Sequence, residues 1–163
     1  MPTVVDTQRE ALYAAETIAF QGTALYEPLM GNECVGMTRS LFIRARSKGY
    51  WHGAYTPPLK FVPQEHLGGR CIGQAQWYTE RTEGACIRLA PEGKRGYVLA
   101  HEVAHLLLMA GRPQHENLEG HGKEYAAVYI WAVSALFGIK WSNVLKRVFA
   151  SMRVEAICSL QED

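Results

Sequence analysis

His101, Glu102 and His105 form a His-Glu-x-x-His spacing inside the stretch "YVLAHEVAHLLLMA". On a helix of 3.6 residues per turn, the two histidines leave one face about one turn apart, so both imidazoles can reach a single metal ion. Glu102 is turned roughly 100° away from them. That offset suits it poorly as a ligand but well as a base that takes a proton from a water held at the ion. Zinc is the metal this spacing serves in hydrolases, with the glutamate as general base. The surrounding residues are apolar nearly all round, as in a buried helix. Two imidazoles and a carboxylate without partners would be costly there.

A catalytic zinc site takes three protein ligands and keeps a fourth position open. The longer pattern H-E-x-x-H-x-x-G-x-x-H is absent, because Leu108 stands at its glycine and Gly111 at its last histidine. Two histidines follow, His115 in the polar stretch "GRPQHENLEG" and His121 at the start of the next helical segment. Tyr125, Val128, Ala132 and Leu136 continue from His121 at helical spacing, which puts it at the edge of a core-facing side. An antiparallel return would carry it back to the motif helix, so His121 is the preferred third ligand. His115 and the carboxylates of Glu119 and Glu124 are the alternatives, and Glu124 could instead orient His121. Tyr97, Tyr125, Arg112 and Lys123 qualify by chemistry alone to stabilise an oxyanion. His52 and His66 read as loop histidines.

The elements that must position these groups read as α+β. Thr7 and Glu10 have capping-box spacing, and Leu12, Ala15, Ile18 and Ala19 form an apolar stripe, so a helix is expected over 7–21 with Gly22 as its stop. A second is expected over 33–47, with Val35, Leu41 and Phe42 inward and a solvated basic face. Residues 48–68 read as a turn-rich loop with Pro57, Pro58 and Pro63. Strands are expected at "RCIGQAQWYT" and "ACIRLA", joined as a hairpin. The second of these, just before the motif helix, is expected to offer its edge to an extended peptide. Helices then run over 95–110, 120–137 and 142–152, giving a helical C-terminal half that carries the motif. The last of them should cover the core through Val144, Leu145, Val148 and Phe149.

The 163 residues suit one domain, 1–163, with its own core. A net charge of +1 gives no field to attract nucleic acid or an anionic membrane. No apolar run is long enough to span a bilayer. Cys34, Cys71, Cys86 and Cys158 lie far apart with no C-x-x-C pair, and the polar N-terminal residues do not read as a secretion signal, so the expected setting is cytoplasmic with reduced thiols.

The run strand, "LAHEVAHLLL", loop, "HGKEYA" resembles the core of SprT-like zinc metallopeptidases, where H-E-x-x-H is followed after a loop by H-G-x-x-[FYW]. More closely, the chain is similar to a group of small metallohydrolases from actinobacteria and their phages. "DTQREALYAAE", "CIRLAPEGKRGYVLAHEVAHLL" and "HGKEYAAVY" carry that similarity, which covers most of the chain outside 48–68. The resemblance implies a zincin-like α+β fold with His101, His105 and His121 on zinc and Glu102 as the base. The basic or zinc-ribbon DNA-binding appendages of some SprT-like proteins are missing. The expected function is a zinc-dependent hydrolase acting on a peptide or protein. A non-catalytic zinc-binding module and a hydrolase of non-protein amide bonds are the alternatives.

Overall fold

The computed structural model describes residues 6–69, 71–76, 85–110 and 120–157, which form five α-helices and a three-stranded mixed sheet. Helix α1 spans Arg9–Phe20, and α2 spans Gly31–Ser47. Strand β1 is Leu59–Phe61, β2 is Gly73–Gln76 and β3 is Cys86–Leu89. Helices α3 (Gly96–Ala110), α4 (Lys123–Phe137) and α5 (Ile139–Ser151) complete the chain.

Helix α3 is the hub, packed against α2, α4 and β2. Val98, Leu99, Ala100, Val103, Ala104, Leu106 and Leu107 are all buried along it, which explains a sequence apolar nearly all round rather than on one stripe. Gly96 at its start lies so close to the Phe137 ring at the end of α4 that a Cβ would come within 2.5 Å of it. The two helices are therefore antiparallel neighbours. Gly138, at φ 89°, ends α4 and begins α5, a left-handed corner that favours glycine. Helix α5 turns back over α4 and α1 and buries Leu145 and Phe149, so it covers the core as expected.

The strand order is β1-β3-β2, with β1 parallel and β2 antiparallel to β3. This corrects the expectation for β3, whose two edges are both occupied, so it has none to offer a peptide. The edge beside α3 belongs to β2, whose register pairs Gly73 with Leu89 and Gln76 with Cys86. Strand β1 emerges from the segment read as loop. Its short, proline-preceded run is tolerated because it lies on an edge. The hairpin connection over 77–84 lies outside the described residues.

Two further details differ from expectation. Helix α1 begins after Gln8, with no side-chain cap rather than a Thr7 capping box. Ile18 and Val35 point outward, 63% and 40% exposed, while Glu16 and Phe20 take their place on the buried side of α1. Gln8 is occupied elsewhere. Its amide donates to the carbonyls of His121 and Glu155, and its oxygen accepts from the Glu155 N–H. The segment at Ile157 adds a bond to the Lys123 carbonyl. The residues just before α1 and just after α5 thus grip the start of α4.

Candidate metal centre

Helix α3 contributes His101 and His105, and His121 stands two residues before α4, ahead of the Gly122 cap. The antiparallel α3–α4 pairing brings all three together. The Nε2 atom of His101 lies 3.2 Å from Nε2 of His105 and 3.3 Å from Nε2 of His121, and the three donor atoms fall within 4.8 Å of one another. His101 and His121 are buried and His105 is half-buried. Tyr125, on the first turn of α4, stacks on His105 at 4.3 Å between ring centroids and donates its hydroxyl to the His101 carbonyl at 3.1 Å. Its hydroxyl is thus engaged with the backbone of α3.

Two carboxylates hold the imidazoles from behind. Glu16 of α1 meets Nδ1 of His101 at 2.5 Å, and Asp6 meets Nδ1 of His121 at 2.6 Å. Each contact fixes a ring so that Nε2 faces the centre of the cluster, the arrangement that metal-binding histidines use. Burial, with the neighbouring imidazoles adding to it, holds His101 and His105 well below the ordinary histidine range. They are thus neutral at pH 7, the form that ligates. Burial also pushes the Glu16 and Glu102 carboxyls up to about 8. Two buried carboxyls stand beside the cluster, and a divalent cation among the nitrogens would place positive charge next to them. The donor set fits a metal ion on geometry, protonation and charge.

Glu102 is directed away from the cluster towards β2, where the Ala75 backbone amide bonds its carboxylate. A Cβ on Gly73 would come within 2.7 Å of Glu102 Oε1, so this glycine keeps the space for the carboxylate. A cavity of about 450 Å³ opens here, lined among others by Arg9, Tyr13, Cys71, Tyr97, His101 and Glu102. A shallower one of about 210 Å³ continues along Gly73, Gln74 and Ala75 to His105 and Met109. The two hollows share Tyr13, Gly73, His101 and Glu102, so the edge strand, the glutamate and the histidine cluster border one continuous surface.

All four expected site residues, His101, Glu102, His105 and His121, meet at this place. Glu124 does not hold His121, because Asp6 does. Lys123 is exposed, and Tyr97 lines the cavity while stacking on Tyr26. His52 and His66 are exposed and absent from both hollows. Arg112, His115 and Glu119 lie outside the described residues. The residues that sequence reasoning missed are Asp6, Tyr13 and Glu16. One signal was available, since Glu16 sits four positions after Leu12 on the apolar stripe of α1, where a glutamate needs a partner. Comparison with protein-family models, curated proteins and solved structures found no match.

Proposed function

We propose that this chain is a zinc-dependent hydrolase of zincin-like fold, a metallopeptidase related to the SprT-like enzymes. The observation that carries this reading is the joint placement of three converging imidazole nitrogens and a carboxylate that is not spent on orienting them, along two hollows that share His101 and Glu102. A site that only tied helices together would have no use for Glu102 at that offset or for the space around it.

Zinc, held by His101, His105 and His121, would supply the Lewis acidity that activates a water and polarises a carbonyl. Glu102 takes the proton of the attacking water and passes it to the departing nitrogen. Glu16 and Asp6 keep the two buried imidazoles in the ligating orientation. Among the described residues no further strand pairs with the outer edge of β2, and an extended peptide adding there would lie across the site in place of the Glu102 contact with the Ala75 amide. That edge is what favours a peptide over other amides. The free thiols of Cys34, Cys71 and Cys86 are consistent with a reducing, cytoplasmic setting. No helix among the described residues is long and apolar enough to cross a membrane.

Metal analysis of the purified protein should find about one zinc per chain. Glu102→Gln should retain that zinc while turnover of an unfolded protein substrate falls by roughly 10²-fold or more. Turnover that survives the substitution would remove Glu102 from the base role.

A further inference from the structure

Tyr13 leaves α1 one turn before Glu16 and lines both hollows at the cluster. Its ring stacks on His101, with centroids 5.5 Å apart and planes 25° from parallel, and meets His121 edge-on at 5.1 Å. Its hydroxyl lies 3.3 Å from Nε2 of His121. Asp6 accepts from the Nδ1–H of that ring, so Nε2 carries the lone pair and the phenol is the donor in this contact. The same lone pair is the one a metal takes. Ligation therefore removes the phenol's acceptor, while the two ring contacts keep the O–H beside the ion. The other nearby phenols are placed differently. The Tyr125 hydroxyl donates its hydrogen bond to the His101 carbonyl, and Tyr97 is stacked on Tyr26 at 5.3 Å.

We propose that Tyr13 is a catalytic residue whose phenol donates a hydrogen bond to the substrate's carbonyl oxygen as negative charge builds on it. This rests on the reading of His101, His105 and His121 as metal ligands. The phenol keeps its proton throughout, and its value is that the donor is already in position when the charge develops. Its ring is 43% exposed, so a substrate entering the larger hollow can reach the hydroxyl.

Two small ligands of the zinc-loaded full chain test the proposal without any substrate. Acetohydroxamate brings oxygen to the metal, and 1-propanethiol brings sulfur, a weaker hydrogen-bond acceptor. Tyr13→Phe should bind zinc as the unmodified protein does, because the ring contacts remain. Its acetohydroxamate affinity should fall about 10- to 100-fold, the effect of removing one donor to a charged oxygen. Its propanethiol affinity should change by less than about threefold. Tyr55→Phe, at an exposed tyrosine outside both hollows, should alter neither. Unchanged hydroxamate binding in Tyr13→Phe, equal weakening of both ligands, or loss of zinc would each overturn the role assigned to Tyr13. If the unmodified protein takes up no zinc, the metal reading itself falls, an outcome distinguished by metal content alone.

Discussion

Asp6 and Glu16 bear on the candidate metal centre from behind its imidazoles, each through the Nδ1 side of a ring. Each fixes the tautomer and the tilt of one imidazole, so the Nε2 lone pairs are aimed before any ion arrives. Asp6→Asn and Glu16→Gln should each weaken zinc binding by about 10- to 100-fold, measured by competition with a chromophoric chelator. Affinities unchanged in both variants would mean that the helices alone hold the rings. His101 and His105 were legible because their geometry is local: four residues on one helix is a fixed spacing. His121 was legible because its helical continuation set which way it faces. Asp6 and Glu16 were not, because their contacts with His121 and His101 span 115 and 85 positions, and only the packing of α1 against the later helices brings them together. Tyr13 escaped for the same reason.

At the scale of elements, the site is assembled by α1, α3, the start of α4 and the edge of β2. The turn of chain around Ile72 is drawn tight, since its carbonyl accepts from the Ala90 N–H and leaves no room for a side chain on Gly93. That places Gly73 directly against Glu102. Gly73→Ala should push the Glu102 carboxylate aside, so turnover should drop by at least about tenfold while zinc content stays at the level of the unmodified protein. Zinc lost together with turnover would show that the substitution disturbs α3 rather than the carboxylate. Most helices could be read from periodicity, within two or three residues at their ends. The sheet could not, because strand order is a long-range property. β1 hides in a proline-rich stretch with no alternation, and nothing local to β3 says that it lies in the middle. An open edge was therefore expected on β3, which in fact has a strand on each side.

Across the whole molecule, a metal in this centre would cross-link three parts of the chain that are distant in sequence. It would join α3 to the start of α4 directly, and both to α1 and its preceding turn through the carboxylates. An ion that binds only the folded chain stabilises it by mass action, about 4 kcal/mol when free zinc stands a thousandfold above its dissociation constant. For a domain of this size that corresponds to roughly 8–16 °C in melting temperature. Calorimetry with and without a chelator should show that loss, reversible on adding zinc back. A melting temperature indifferent to the chelator would argue against the cluster as a metal centre. Burial raises the Glu16 and Glu102 carboxyls to about 8, and a cation beside them would favour their charged forms.

The grip of Gln8 on His121 and Glu155 also sets an order of events. His101, His105 and His121 all precede Glu155, so a growing chain carries the three histidines before this clamp can form. The Gln8 side chain is held from both directions only when the segment after α5 has folded back against it. The backbone at His121 is thereby tied to a segment beyond α5, so a change at that distant segment would reach the cluster through the Gln8 side chain.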